Sequence, residues 1–545
     1  MNILEPIRRQ AEQQPDRIAL ISAQRELSYR DLMTTVRQMA AALHAAGVRR
    51  HDPVGIEVHG AAAHVVLTLA VAHLGAISVA LVGGERGPAN NPALAAQCGL
   101  AFVVHDRDAA QAPAYPGLKA SLALRDLQSR ADAPSLEQAQ VEPGDTFRIA
   151  FSSGTTGAPK GIIFSHGASM LKTHLMRVLF PTDLAERAMI RMGIGQSFGM
   201  NYCLRALTCG AACFLSASGD AAQANAMIRK HRITQLVTTP AMALGLLADA
   251  RRAGSPHADP APHLALMAVG GAAMSQRLVS ELKRHICPGL YINYGSSETG
   301  MVALAGPALQ EADPACAGQV VPWVEAQAVD AAGAPLACGQ TGPLRFRSPL
   351  LATGYVGPAQ EQEHEQGAPA AVFRDGWFYS SDLGRVEADG RVYLAGRADN
   401  VLNIGGKKID PERIEAVLHQ QPAVVECAVV ALKDAQGRSL LAAAVVTSGK
   451  PAVTDLKEKC GAALGRSHIP KLILPMKELP RNESGKVIRE AVRARLQARL
   501  DAAASGRNSA ADPDLAQGAG DGLDVGGADQ PGSLVAVKKQ DQGGP

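Results

Sequence analysis

Residues 146–164 read TFRIAFSSGTTGAPKGIIF: an apolar run, a loop of small polar residues, and a second apolar run. The flanking runs, TFRIAF and GIIF, have the β-branched and aromatic content of strands, so the loop reads as the turn between two neighbouring strands. Backbone N–H groups in a glycine-rich turn form a concave nest for an anion, hydroxyls add donors, and Lys160 adds a full positive charge. Phosphate suits such a turn, and a plain surface turn of small residues is the alternative that composition alone leaves open. The loop is not of the G-x-x-x-x-G-K-[S/T] kind. Lys160 follows Pro159, and the other Gly-Lys pairs, GGKK (405–408) and SGKV (484–487), lack the hydroxyl residue that would follow the lysine and bind magnesium.

Outward from this loop, helical stretches such as PIRRQAEQQPDRIAL and LSYRDLMTTVRQMAAALHAAGV alternate with short apolar runs such as PVGIEVHG, AFVVHD, TQLVTT and LALMAVGG. Strands alternating with helices predict an α/β fold, a large N-terminal domain (1–396) of layered, mostly parallel sheets covered by helices. A smaller α+β domain is expected over 397–500, opening with GRADNVLNIGGKKIDPERIEAVLHQQPAV and closing with the charged, helix-like KVIREAVRARLQARL. Residues 501–545 hold nine glycines and no aromatic residue, a composition that cannot offset its ordering entropy, and they are expected to be disordered.

Composition narrows the function. The chain has 545 residues, 47% apolar and 19% charged, with a net charge of +3 and no basic block interleaved with aromatics, so nucleic acid is not an expected partner. The run VVLTLAVAHLGAISVALV (65–82) is interrupted by His73 and Gly75 and turns β-branched, which fits a buried helix followed by a buried strand rather than a membrane span. The N-terminus carries Glu5 and two arginines where a secretory signal would be apolar. The nine cysteines form no C-x-x-C pair and read as buried free thiols in a reducing, cytoplasmic setting.

Five stretches occur in one order: FSSGTTGAPKG (151–161), YGSSETG (294–300), DGWFYSSDLG (375–384), GRADNVLNIGGKKIDPERIE (396–415) and PRNESGKVIR (480–489). This ordered set resembles the adenylate-forming acyl-activating enzymes, which include acyl-CoA synthetases, amino-acid-adenylating domains and firefly luciferase, over roughly residues 5–498. The resemblance implies that Ser152, Ser153, Gly154, Thr155, Thr156, Gly157 and Lys160 cradle the β- and γ-phosphates of ATP. Thr155 and Glu298 would hold Mg²⁺, a hard cation that prefers oxygen ligands. Tyr294 would stack on adenine within the segment that includes Gly295 and Ser297, opposite a wall formed by Gly270, Gly271 and Ala272. Asp382 would accept from both ribose hydroxyls and Arg397 would be the second ribose contact; Ser381 stands where the family usually has glycine. Lys486 would bridge the acid's carboxylate and the α-phosphate, work that suits a compact charge on a flexible stem. Asp399 matches the hinge about which the small domain turns, and Gly405 and Gly406 match the tunnel for a pantetheine thiol.

A carboxylate is a poor acyl donor, and the family overcomes this by forming an acyl-adenylate with loss of pyrophosphate, then passing the acyl group to the thiol of coenzyme A or of a carrier protein's phosphopantetheine. Gln196, Phe198 and Met301 are the candidates for the acid pocket. Amino-acid-activating relatives carry a Phe-Asp pair where this chain has Gln196, Ser197 and Phe198, and a zwitterionic substrate would lack its partner here. The expected activity is therefore an AMP-forming acyl-CoA ligase on an aryl or short to medium acyl acid. A stand-alone enzyme loading an acyl carrier protein and a non-catalytic nucleotide-binding protein remain as alternatives.

Overall fold

The computed structural model describes residues 2–23, 25–81, 91–108, 111–129, 136–152, 160–180, 186–216, 220–252, 263–357, 372–404, 407–449, 452–481 and 486–504. The chain divides into two compact units, Met1–Val401 with Arg481–Ile488, and Leu402–Pro480 with Arg489–Pro545.

The first unit contains two large sheets. In the larger, strands Leu290–Ser296, Leu266–Gly270, Gln235–Thr238, Arg187–Ile190, Ala212–Leu215 and Ile18–Ile21 are parallel neighbours in that order. In the second, Thr146–Ser152, Ile77–Ala80, Pro53–Glu57, Phe102–His105 and Ala120–Ala123 are parallel. Strands buried on both faces need no alternation: Phe102–His105, Ala212–Leu215 and Gln235–Thr238 are buried at every residue. The helix Ala61–His73 and the strand Ile77–Ala80 divide the apolar run 65–82 as expected, with Gly75 in the left-handed region (φ +65°) at the corner.

The two apolar runs of the opening stretch are neighbouring strands as expected, and the residues between them lie outside the described ones. Thr146–Ser152 pairs antiparallel with Lys160–Ser165, register Ser152 opposite Lys160, and Gly354–Tyr355 adds to the far side of the latter. Two expectations need correction. From Gly300 to Arg397 the larger sheet continues antiparallel, through Gly300–Ala305, Gly318–Val320, Arg391–Arg397, Trp377–Val386, Gly342–Arg347 and Glu325–Ala328, rather than as alternating strands and helices. These strands half-face solvent, as the alternating burial of Gly342–Arg347 illustrates, and need no crossover helix. The stretch PIRRQAEQQPDRIAL is not all helix: Glu5–Gln13 is helical, and Ile18–Ile21 is a strand beyond the Pro15 turn.

In the second unit Val424–Lys433, Ser439–Thr447 and Leu472–Pro475 form a sheet accompanied by helices Pro411–His419, Val453–Leu464 and Arg489–Ala504. Arg489 fastens the last helix, donating to the Glu415 carboxylate (Nη2 to Oε2, 2.9 Å) and to the Val429 carbonyl (2.9 Å). That helix runs into the expected tail as far as Ala504, and the remainder of the tail lies outside the described residues. Among the described residues no helix is long and apolar enough to cross a membrane, and no group of side chains is arranged to hold a metal ion by itself. The cysteines are free and buried except Cys338, which is exposed in the turn after the Val329–Pro335 bridge.

Candidate active site

The parallel strands Leu266–Gly270 and Leu290–Ser296 lie side by side; their pairing ends at Gly270 opposite Asn293, and the second strand runs on to Ser296. The carboxyl ends of parallel strands are where open α/β sheets bind ligands, because the loops diverge there and leave a crevice. Gly271 follows in the left-handed region (φ +93°) with no atom within 4 Å of a would-be Cβ, and Gly271 and Ala272 are exposed. Gly270 is buried, and a Cβ there would stand 3.0 Å from Cζ of Phe198. Gly295 sits at a register shift against Gly300–Ala305, where a side chain would strike the Gly300 carbonyl oxygen at 1.9 Å.

Tyr294 lies on the opposite face of its strand from Asn293 and carries the first site contact. Its hydroxyl donates to Oδ2 of Asp382 at 2.7 Å, and Nη1 of Arg397 donates to Oδ1 at 3.2 Å. Asp382 and Arg397 are direct cross-strand partners, so the antiparallel ladder sets their distance. Burial first, and then the Asp382 charge, push the Tyr294 hydroxyl well above its ordinary range, so it remains a donor. Ser380 steadies the strand two residues earlier: its hydroxyl donates to the Leu344 carbonyl (3.0 Å) and accepts from the Asp382 amide (3.2 Å). Ser381 is buried beside it.

Glu298 occupies the turn between Leu290–Ser296 and Gly300–Ala305, a turn closed by reciprocal bonds of Ser296 and Thr299 (Ser296 N to Thr299 Oγ1, 3.0 Å; Thr299 N to Ser296 Oγ, 3.3 Å). Ser297 is in the same turn, partly exposed. The Glu298 side chain is 9% exposed and accepts the Tyr355 hydroxyl at 2.9 Å through Oε1. Lys160 Nζ stands 5.2 Å from the centre of the Tyr355 ring, so Tyr355 links the end of the glycine-rich loop to the Glu298 turn. Each carboxylate here is oriented by one or two donors and retains acceptor capacity, since a carboxylate offers about four lone-pair directions. That donor set fits a nucleotide's ribose at Asp382 and a hard divalent cation at Glu298.

The segment that carries the acid-pocket candidates is held by a buried arginine. Arg148, 2% exposed, donates from Nη2 to the carbonyls of Ile194 (3.0 Å) and Gly195 (2.5 Å), just before Gln196. Burial lowers this guanidinium to about 10. Gln196 immediately precedes the helix Ser197–Thr208 without a side-chain capping bond, Phe198 meets Tyr202 edge-on at 5.1 Å, and Met301, 6% exposed, lies opposite Gly295 in the ladder. Lys172, on the helix His166–Leu179, is buried near the Glu298 turn, and burial pushes its ammonium down to about 7.

The structure thus brings Tyr294, Asp382 and Arg397 together, Glu298 with Lys160 through Tyr355, and Phe198 with Gly270. Ser153, Gly154, Thr155, Thr156, Gly157, Gly405 and Gly406 lie outside the described residues, as do the side chains of Ser152 and Asp399. The strands flanking Gly405 and Gly406, Leu402–Ile404 and Lys407–Ile409, pair as an antiparallel hairpin. Lys486 is partly exposed within Arg481–Ile488, which groups with the first unit. Sequence reasoning missed Tyr355, Arg148 and Lys172. For Lys172 a signal existed: it falls at the buried helical phase of Ser169, Thr173 and Met176, where a lysine is anomalous.

Comparison with known proteins bears on the family and the fold. The profile of the AMP-binding enzyme family matches residues 7–356, and that of the AMP-binding enzyme C-terminal domain matches residues 413–486. The chain is 29% identical over 513 residues to the indoleacetate–CoA ligase of Aromatoleum aromaticum, covering 90% of this chain and 98% of that one. It is 28% identical over 518 residues to the 3-hydroxybenzoate–CoA/4-hydroxybenzoate–CoA ligase of Thauera aromatica, covering 89% and 95%. The structure of the anthranilate CoA ligase AuaEII in complex with anthranoyl-AMP shares the fold, with a TM-score of 0.80 at 23% identity over 92% of this chain and 98% of that one. With a matching profile spanning most of the first unit and a second profile in the C-terminal region, the chain belongs to the AMP-binding enzyme family.

Proposed function

We propose that this protein is an ATP-dependent, AMP-forming acid–thiol ligase that joins an aryl or short to medium acyl acid to coenzyme A. In the first half-reaction an oxygen of the acid's carboxylate attacks the α-phosphorus of ATP and pyrophosphate leaves; in the second the thiol attacks the acyl-adenylate carbonyl and AMP leaves. The observation that carries the reading is Asp382, held by Tyr294 and Arg397 at the mouth of the parallel strands with acceptor capacity to spare.

Within this reading Asp382 binds the ribose hydroxyls, and Tyr294 stacks its ring on the base while its hydroxyl orients the carboxylate. Lys160 and the loop before it neutralise the outer phosphates, and Glu298, oriented by Tyr355, takes the cation. Bound Mg²⁺ supplies charge neutralisation on the phosphates. Lys486 meets the charge that develops between carboxylate and α-phosphate, where a positioned cation has its largest effect on the barrier. Asp399 serves as the hinge that withdraws this lysine, and Gly405 and Gly406 admit the thiol. CoA-ligase names among full-length relatives favour coenzyme A over a carrier protein as acceptor.

The test is acid-dependent exchange of labelled pyrophosphate into ATP across aliphatic, aromatic and amino acids, followed by CoA addition. AMP, pyrophosphate and an acyl-CoA are expected. ADP as the sole nucleotide product, or no product with any acid, refutes the proposal.

A further inference from the structure

The helix His166–Leu179 turns Lys172 inward. Its side chain is 4% exposed, and among the described residues its Nζ has no hydrogen-bond partner. Two contacts locate it: Nζ lies 4.5 Å from the centre of the Phe164 ring, and a Cβ placed on Gly300 would stand 3.7 Å from Nζ. The ammonium therefore sits behind the first residue of the strand Gly300–Ala305, beside Met301 in sequence and within the field of Glu298, which has its own partner in Tyr355.

An ammonium withdrawn from water without an acceptor is strongly disfavoured, and a phenylalanine face returns only part of that loss. A lysine serving packing alone would be better replaced by methionine or leucine at the same volume. Gly300, at φ +70°, has no side chain to cover the ammonium, and a Cβ there would stand 3.1 Å from Cε of Lys172. The missing acceptor is thus sought in a molecule that enters the pocket.

We infer that Lys172 is the specificity-determining residue of the acid pocket, its Nζ–H donating to an oxygen acceptor that the acid carries in addition to its reacting carboxylate: a hydroxyl, a phenolate or a second carboxylate. This rests on the ligase reading above. It makes the preferred acid oxygen-substituted, because binding an unsubstituted analogue leaves the buried ammonium unsatisfied.

The experiment compares matched acids, benzoate against 3- and 4-hydroxybenzoate and butyrate against succinate, by kcat/KM for CoA-dependent AMP release. In the natural protein at least one oxygen-bearing acid should exceed its parent by about tenfold or more. Lys172→Met should reduce that ratio by about tenfold, chiefly through KM. Ratios within about twofold for every pair in the natural protein overturn the inference, as does a preference that survives Lys172→Met. Loss of Mg·ATP binding by the variant also overturns it, since the lysine would then serve the nucleotide. Should Lys172→Met fail to fold, Lys172→Arg decides: a retained preference supports the inference and a lost one overturns it. Parent acids turned over without discrimination defeat this inference alone, whereas absence of AMP with every acid defeats the ligase reading and this inference with it.

Discussion

Asp382 receives one hydrogen bond from a residue 88 positions away and another from its cross-strand partner, an arrangement that leaves it acceptor capacity to spare. Asp382→Asn keeps the shape, removes the charge and replaces one acceptor with a donor facing Tyr294 or Arg397. The KM for ATP is expected to rise about tenfold or more, with a smaller change in the KM for the acid, as measured by initial rates. Lys486→Ala should lower pyrophosphate exchange by about a hundredfold to a thousandfold while ATP still binds in a fluorescence titration. Exchange at the natural rate would remove Lys486 from the role assigned to it. Asp382 and Lys486 were singled out from the sequence because each stands inside one of the ordered stretches that carry the family resemblance, and the role of Lys486 is what the exchange measurement tests. Tyr355 was not singled out, since it follows an unremarkable Thr-Gly; for Lys172 the sequence carries only its anomalous helical phase, while the lack of an acceptor among the described residues is a property of space.

At the scale of elements, the segment Gly193–Gln196 depends on Arg148 in a strand of the other sheet. Arg148→Met preserves the apolar stem and removes the donors, leaving the Ile194 and Gly195 carbonyls without them at a cost of about 1–3 kcal/mol. The expected outcome is a lower urea midpoint together with a raised KM for the acid and a nearly unchanged KM for ATP. Equal effects on both substrates would show that the segment does not line the acid pocket. Strands that repeat an apolar run between helices could be read directly from the chain, as Phe102–His105 and Leu266–Gly270 were. The antiparallel strands from Gly300 to Arg397 could not, because half-exposed strands joined by turns resemble loops until their partners are known.

At the scale of the whole molecule, two buried histidines link folding to pH. Burial, aided by the Arg148 charge, pushes His64 down to about 3, and burial pushes His166 down to about 4, against the partly opposing Asp145 charge. Both stay neutral when folded, whereas the unfolded chain protonates them below about 6.5. Their contribution is fully present above that pH and is lost as pH falls toward 4, each histidine removing about 1.4 kcal/mol per pH unit. Urea midpoints should therefore fall between pH 6.5 and 5.5, ahead of most carboxylate titration, and His64→Gln should flatten the decline. A midpoint constant over that interval would contradict the assignment. From the sequence alone came the strand–loop–strand around residues 146–164, the α/β character and the ordered set of site stretches, because small residues, charge and apolar period act locally along the chain. Only the tertiary structure decided which carboxylate meets which donor, which strands run antiparallel, and that Lys172 lies out of water without an acceptor among the described residues. Burial and pairing between distant residues are settled by how the sheets and helices close on one another, and no local pattern encodes that.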